Sequence, residues 1–404
     1  MKKVFALILA AAMMTCLLAG CGSAAPSAPS APAEAAPAEA AATEPAEAAP
    51  TAVKLGGIGP VTGPAAIYGQ AVKNAMEMAV AEINAKGGVQ FEMNYQDDAH
   101  DAETSVNAYG TLMDWGMLVL VGPVTSTPAA SVAAEAQADK VFMLTPSASS
   151  PTVTEGKDNV FQMCFSDPNQ GLASADYISD NALGEAVAVI YNNGDAYSTG
   201  IYEKFSAEAE VKGLNVVYTG TFTDDSQTDF SSQLTAAKDA GADLLFLPIY
   251  YTPISVIMSQ AAAMEYEVSY FGVDGMDGLL TLEGFDTALA EGAYLLTPFS
   301  ADSADEATAA FVAGYEQAYG ETPNQFAADA YDCVYAVYEA CTAAGVTVDM
   351  SAADICAALA ASFGSGEFSF SGLTGSGMTW NASGEVSKSP MAVVIKDGVY
   401  ASAE

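Results

Sequence analysis

From Val53 onward the chain alternates short apolar runs with helical patterns, and this alternation constrains the fold more than any other feature. The run Met117–Val121 has no polar residue, which is typical of a parallel strand buried on both faces. A helical pattern covers Ala129–Ala138, and the next apolar run is Val141–Leu144. This order of strands and helices predicts an α/β unit with a parallel sheet.

A second unit of the same kind follows the first. The alternation restarts at Ala186–Tyr191 and continues through a helix over Thr199–Lys212. Helical patterns then dominate residues 304–362, and short strands are expected around 366–372 and 391–396. The sequence therefore predicts two α/β units and a helical C-terminal portion.

Polar loops follow several of the predicted strands: Gly59–Gln70, Gly122–Pro128, Thr145–Pro151 and Asn192–Thr199. In parallel sheets, ligands bind beyond the carboxyl ends of the strands, where such loops enter helices. Hydroxyls and free backbone N–H groups at helix N-termini can hold a carboxylate without a cation. An acid and several tyrosines opposite them would suit an ammonium group and an apolar body. The pattern favours a small zwitterionic ligand, although serines and threonines also serve as plain helix caps and tyrosines as core residues.

The charge balance excludes some function classes. The chain carries 50 Asp+Glu against 12 Lys+Arg, a formal net charge of −38, and it contains no arginine. A nucleic-acid binder needs clustered basic residues to neutralise phosphates. A field of this sign also disfavours a net-negative solute but is nearly indifferent to a zwitterion.

Residues for catalysis or metal binding are equally scarce. His100 is the sole histidine, and its acidic loop predicts a solvated surface residue rather than a ligand. Gly57 and Gly59 are followed by Pro60, which removes a phosphate-facing N–H, so a dinucleotide fingerprint is not expected. Four cysteines lie in the folded part, without a C-x-x-C pair and with any disulfide left open: Cys164, Cys333, Cys341 and Cys356. We therefore expect a protein that is not an enzyme and that uses neither cofactor nor metal.

The N-terminus reads as a targeting segment. Lys2 and Lys3 precede an apolar run that ends in Leu18-Ala19-Gly20-Cys21, which resembles the lipobox of bacterial lipoproteins. We expect a signal peptide over residues 1–21 and lipidation of Cys21; a transmembrane anchor is the alternative, but the run is short for a span of about 20 residues. Residues 22–52 are rich in Ala, Pro and Glu, which predicts a solvated tether or a spacer through a cell wall.

Four segments together carry a family resemblance. They are Gly59–Gly69, Ala81–Gly88, Gly122–Ser126 and Thr145–Pro151. From Val53 to the C-terminus the chain resembles the solute-binding proteins of branched-chain amino-acid ABC importers, which are type I periplasmic binding proteins. The resemblance implies two doubly wound parallel-sheet lobes, joined by three crossovers, with a ligand cleft between them. Lobe 1 would comprise residues 53–170 and 299–376, and lobe 2 residues 171–298 and 377–404.

The resemblance also implies a set of ligand-binding residues. Ser126 and Ser149 would donate hydroxyls to a ligand carboxylate, and Ser147 would help through its backbone. Asp274 would accept the ligand ammonium. Aromatic side chains would form the wall of the pocket: Tyr68, Tyr197, Tyr250 and Phe326. Ser147 stands where the family usually has Ala or Gly, and Asp274 where it often has Glu, so the identity of the ligand stays open.

The function implied is capture without chemistry. A lipoprotein of this kind would bind leucine, isoleucine or valine outside the cytoplasm and deliver it, as a monomer, to a membrane permease. Two alternatives remain: the same fold binding an amide, urea or an aromatic acid, and a tethered sensory receptor for such a ligand.

Overall fold

The computed structural model describes residues 51–403. The predicted signal peptide, Cys21 and nearly all of the predicted tether lie outside the described residues. Among the residues that are described, no helix combines the length and apolarity that crossing a membrane requires.

The described chain contains two β-sheets. Their strands are β1 (Val53–Gly59), β2 (Phe91–Asp97), β3 (Val119–Val121), β4 (Phe142–Thr145), β5 (Val160–Gln162), β6 (Val187–Asn192), β7 (Val216–Phe222), β8 (Leu244–Leu247), β9 (Ser269–Gly272), β10 (Tyr294–Thr297), β11 (Met391–Lys396) and β12 (Val399–Ser402).

Helices connect and cover these strands. They are α1 (Ala66–Lys86), α2 (Ala102–Trp115), α3 (Ser126–Asp139), α4 (Pro151–Thr154), α5 (Asp167–Asp180), α6 (Ala196–Lys212), α7 (Ser231–Asp239), α8 (Tyr251–Ala263), α9 (Glu306–Tyr319), α10 (Gln325–Ala344) and α11 (Ala352–Gly364).

The first sheet has the strand order β2-β1-β3-β4-β5, and all of its pairs are parallel. In its middle, Leu55 of β1 pairs with Val119 of β3, and both side chains are fully buried. Burial of whole strands on both faces explains why the sequence shows continuous apolar runs instead of alternation.

The second sheet has the order β12-β11-β10-β9-β8-β6-β7. Strands β6 to β10 pair in parallel, whereas β11 pairs antiparallel with β10 and with β12. Asp397 and Gly398 join β11 to β12 with φ angles of 53° and 75°. Two residues with positive φ form the tight turn that suits the twist of a hairpin. The predicted α/β class with two parallel sheets is confirmed, and the antiparallel hairpin at the edge is an addition to it.

The C-terminal helices return to the first sheet. Helix α10 packs against α1 and against β3 and β4, and α11 packs against β4. The predicted helical portion after residue 304 therefore packs on the first sheet, where α10 and α11 extend over β3 and β4 the layer that begins with α1.

Residues 380–384, which the resemblance assigns to lobe 2, are hydrogen-bonded to the first sheet. Trp380 Nε1 donates to the carbonyl of Gln162 at 2.7 Å, and Gln162 N donates to the carbonyl of Gly384 at 2.9 Å. These bonds attach residues 380–384 to the edge of the first sheet beside β5. We propose that the third crossover lies between Val386 and Met391, and we retain the other predicted lobe boundaries as proposals.

Candidate functional site

Loops at the carboxyl ends of strands in both sheets enclose a small cavity. Its walls are formed by Tyr68, Val124, Thr125, Ser126, Ser147, Tyr197, Tyr250, Asp274, Gly275 and Phe326. Every residue predicted for the site lies in this wall except Ser149. The cavity volume is about 10 Å³, which is space for about one water molecule. A larger ligand can therefore enter only when the two lobes move apart.

Serine side chains form the first-lobe side of the cavity. Ser126 opens helix α3, and its Oγ accepts a 3.2 Å hydrogen bond from Ser150 N. The hydroxyl of Ser147 donates to the carbonyl of Val124 at 2.7 Å. This bond links the loops after β3 and β4, so the extra hydroxyl that distinguishes Ser147 has a structural partner.

Ser149 lies behind this wall instead of in it. Its side chain is fully buried, and its Oγ has no hydrogen-bond partner among the described residues. Asp167 is also fully buried, and its backbone N donates to the Ser149 carbonyl at 3.0 Å. Burial raises the pKa of Asp167 well above its usual range.

The backbone at Gly122 brings the first-lobe loops close to β1. Gly122 has a φ of 121°, and a Cβ there would lie 2.4 Å from the carbonyl oxygen of Ile58. Only glycine combines this conformation with this approach. The loop can then turn immediately after β3 and place Ser126 at the start of α3.

Asp274 forms the second-lobe side and is the only charged residue in the cavity wall. It follows β9, is 4% exposed, and its Oδ1 accepts a 2.5 Å hydrogen bond from the Tyr197 hydroxyl. Burial raises the pKa of Asp274 to about 7, and the hydrogen bond from the Tyr197 hydroxyl opposes this rise. The carboxyl group is thus poised to gain from a cationic partner.

Aromatic rings close the cavity. Tyr197 and Tyr250 are stacked at 4.8 Å with an interplanar angle of 6°, and Tyr68 lies 4.1 Å from Phe326 between ring centroids. The hydroxyl of Tyr68 donates to the Gly275 carbonyl at 2.5 Å. These residues come from α1, α6, α10 and the loops before α8 and after β9, so the wall exists only once the lobes meet.

Further bonds join the lobes directly around the site. Thr127 Oγ1 donates to Asp195 Oδ1 at 3.2 Å, and Thr252 Oγ1 donates to the Pro64 carbonyl at 2.7 Å. Ile67 N also donates to the hydroxyl of Tyr251 at 3.2 Å. Together these hydrogen bonds hold the lobes closed. Only the bond to Asp195 involves a carboxyl group, and each bond can be broken separately.

The prediction that His100 is a solvated surface residue is wrong, whereas the prediction that it is not a ligand stays a prediction. His100 is half-buried at the cleft, where its Nδ1 lies 2.9 Å from Thr125 Oγ1 and its ring packs edge-on to Tyr250 at 5.3 Å. With Asp195 and Asp224 it lines a second small cavity that adjoins the first through Tyr250. The signal was present in the sequence, since His100 follows β2, whose carboxyl end lies at the same sheet edge as the other loops.

The cysteines play no part in the site. Cys164, Cys333, Cys341 and Cys356 are all buried and free. Within residues 51–403, no group of three or more potential metal-ligating side chains comes together.

The protein has two α/β lobes with parallel sheets, and these lobes close over a pocket. Hydroxyls lie on one side of the pocket and a carboxyl group on the other. This arrangement defines a two-lobed ligand-binding protein. The chain belongs to the periplasmic binding protein family, whose sequence model matches residues 52–394. The fold is that of the type I members, and the family consists of binding proteins rather than enzymes. Membership implies a location outside the cytoplasm.

Known proteins agree with this assignment. The chain is 32% identical to the Leu/Ile/Val-binding protein homolog 3 of Brucella melitensis over 233 residues, which cover 57% of this chain and 63% of that protein. It thus aligns with less than two thirds of that relative's length.

Two solved structures cover more of the molecule. The substrate-binding protein LivJ of Streptococcus pneumoniae in complex with isoleucine has 27% identity and a TM-score of 0.79, covering 87% of this chain and 99% of that one. The leucine-binding protein LivK of Thermotoga maritima has 26% identity and a TM-score of 0.77, covering 86% and 97%.

Proposed function

We propose that this protein is the solute-binding component of an ABC importer and that it captures a small neutral amino acid, with leucine, isoleucine and valine as the first candidates. The observation that carries this proposal is the composition of the cavity wall, in which the single carboxyl group of Asp274 faces serine hydroxyls and no basic residue is present. The likeness to proteins named for Leu, Ile and Val binding supports it.

The cavity wall suits the two ends of an amino acid differently. We assign the ligand ammonium to Asp274, because a buried carboxylate with a raised pKa gains most from an opposite charge. We assign the ligand carboxylate to Ser126 Oγ and to the backbone of Ser147, near the start of α3, where unpaired N–H groups favour an anion. The role of Ser149 rests on the family resemblance, since its hydroxyl would have to rotate or shift to reach the cavity.

The cavity wall contains no basic residue, which favours a zwitterion over an anion as the ligand. An aromatic acid such as benzoate would place its carboxylate on the serine side and leave the buried Asp274 without an ammonium partner, and the net charge of −38 would oppose its approach. Tyr68, Tyr197, Tyr250 and Phe326 then serve as the apolar wall for an aliphatic side chain.

Membrane attachment and delivery complete the proposal. The lipobox at Cys21 would anchor the protein by acyl chains, and two or more chains suffice for stable anchoring. The tether would keep the folded part near a membrane permease, to which the closed, monomeric protein would deliver its ligand.

A thermal-unfolding panel tests the proposal. A ligand at about 100 times its Kd should stabilise the folded state by about 2.7 kcal/mol. We expect stabilisation by leucine, isoleucine or valine, and none by urea, acetamide or benzoate. Stabilisation by benzoate or an amide in the absence of any response to amino acids would contradict the proposed ligand class while leaving the family unaffected.

A further inference from the structure

A cavity of about 650 Å³ lies apart from the candidate site and shares none of its lining residues. One side belongs to the first lobe and is formed by α1, α9 and the loop that precedes α10. The other side belongs to the second lobe and is formed by β10, the hairpin of β11 and β12, and the turn after Asp277. Its volume falls in the range of sites that hold drug-sized molecules.

The walls of this cavity are largely apolar. Hydrophobic side chains from both lobes face it, among them Ile67, Leu280, Leu295, Phe299, Val312 and Tyr400. Val399, at the edge of the hairpin, is 58% exposed and is one of the most exposed large hydrophobic residues in the described chain. Apolar surface concentrated in a concave region gains free energy when a hydrophobic body displaces water from it.

Every charged residue of the lining is acidic. Asp277 is buried, whereas Asp302, Glu316 and Glu321 are exposed, and neither lysine nor histidine lines the cavity. None of the four carboxylates is among the salt bridges of the described residues. The field inside the cavity is therefore negative and favours a cation.

The hydrogen bonds of these acids come from neutral donors. Asp277 accepts from Gln325 N at 2.9 Å, Glu316 from Thr322 Oγ1 at 2.8 Å and Glu321 from the Tyr315 hydroxyl at 3.4 Å. Such bonds hold the carboxylates in place but leave their charge uncompensated. The cavity thus offers a preformed apolar space with fixed negative groups, while the candidate amino-acid site has room for about one water molecule.

We propose that this cavity is a second binding site, which takes an organic cation with a hydrophobic body, such as an aryl-alkyl amine. The apolar walls bind the body, and the carboxylates around the opening bind the ammonium group. An occupant contacts both lobes at once, so it favours the arrangement in which they are closed. This site does not depend on the identity of the ligand at Asp274.

Isothermal titration calorimetry of the purified full chain with three molecules of matched shape tests the proposal. These probes are 4-phenylbutylamine as its cation, neutral 4-phenylbutanol and anionic 4-phenylbutanoate. We expect the cation to bind about tenfold more tightly than the alcohol, and the anion more weakly than either. Equal binding of cation and alcohol would overturn the proposal, since the carboxylates would then have no role.

Variants locate the binding. The double variant Asp302→Asn and Glu316→Gln should weaken binding of the cation by about three- to tenfold and leave binding of the alcohol unchanged. The matched pair Asp239→Asn and Glu210→Gln removes the same charge from exposed positions on α7 and α6, outside the cavity, and should have little effect. An equal loss of affinity in both double variants would mean that the overall negative charge of the protein attracts the cation, and this would overturn the proposed site.

Two more variants separate this cavity from the candidate site. Ala301→Trp places a large ring in the cavity and should abolish binding of the cation, and the charge variants test the same site if this variant fails to fold. Asp274→Asn should keep binding of the cation. Loss of binding in Asp274→Asn would mean that the amine occupies the amino-acid site, which would contradict a second site without contradicting the first.

Discussion

The hydroxyl of Tyr197 donates a 2.5 Å hydrogen bond to Oδ1 of Asp274, and the same oxygen of Tyr197 accepts a 2.9 Å bond from Gly275 N. The tyrosine thus connects the carboxyl group to the turn that carries it. The stacked ring of Tyr250 restricts Tyr197 further. The orientation of the only charged group in the candidate site is therefore set by a ring that itself forms part of the wall.

Replacing Asp274 should remove the partner of the ligand ammonium. We expect Asp274→Ala to weaken binding of the best amino acid by at least about tenfold, since a charged hydrogen bond contributes about 1.5–3 kcal/mol. Titration calorimetry measures the affinity. Asp239→Ala, an exposed acid at the end of α7 in the same lobe, is the control and should leave it unchanged. Unchanged affinity in Asp274→Ala would remove this residue from the site.

Amino-acid affinity should depend on pH through Asp274. Burial raises the pKa of this carboxyl group to about 7 in the closed arrangement without ligand, so it becomes protonated as the pH falls below that value. Only the ionised form attracts an ammonium group, and binding should weaken by about tenfold from pH 8 to pH 6. Affinities measured across this range should show the decrease.

Two variants sharpen the pH experiment. Asp274→Asn should bind the amino acid weakly, and its affinity should not change between pH 6 and pH 8. Tyr197→Phe removes a hydrogen bond that lowers the pKa of Asp274, so the decrease should begin at a higher pH than in the parent protein. A profile that stays unchanged in Asp274→Asn would assign the titration to another group.

Gly275 should tolerate no side chain. A Cβ at this position would lie 2.6 Å from the Tyr197 hydroxyl and 2.9 Å from the Ile249 carbonyl oxygen. We expect Gly275→Ala to displace Tyr197 and lower amino-acid affinity by at least about tenfold, at a cost in stability of about 1–3 kcal/mol. Calorimetry and urea unfolding measure the two effects.

Gly110 provides the matched control for this substitution. It lies within helix α2, where an added Cβ meets nothing within 4 Å. Gly110→Ala should stabilise the protein by about 0.4–1 kcal/mol and leave affinity unchanged. An equal loss of stability in both variants would contradict the steric explanation.

Lys388 should be essential for stability. Its Nζ lies 2.7 Å from Asp329 Oδ1, and the side chains are 1% and 2% exposed. Lys388→Met leaves the carboxyl group of Asp329 buried without its cation, and we expect a loss of about 3–5 kcal/mol in urea unfolding. Adding Asp329→Leu to the Lys388→Met variant should recover most of the lost stability. Lys73→Met, which breaks an exposed pair with Glu77, should change stability by less than about 0.5 kcal/mol.

Much of the fold could be predicted because it depends on local patterns. The apolar runs at β3 and β4 and the helices between them follow from periodicity, and the polar loops follow from the rule that parallel strands present their carboxyl ends at one edge. The same rule and the family resemblance selected most of the cavity wall. The strand β12 was not predicted, since its two-residue turn at Asp397 and Gly398 joins short, half-exposed strands with a weak pattern.

Other features depend on contacts between distant segments. The position of His100 after β2 places it beside the cleft, but its partial burial requires that its ring meet Tyr250 across the cleft. The attachment of Trp380 to Gln162 joins residues 218 positions apart. The displacement of Ser149 from the wall depends on how the loop after β4 packs against Asp167.

By itself, the sequence determined the order of strands and helices, the polar loops and the acidic character of the chain, because these properties reside in neighbouring residues and in composition. The tertiary structure alone decided that Asp274 is the one charged group in the site, that Tyr197 orients it, and that a large acidic cavity forms between α9 and the β11–β12 hairpin. The physical reason is that burial, hydrogen-bond partners and cavities arise from long-range packing of the two lobes, which no local pattern specifies.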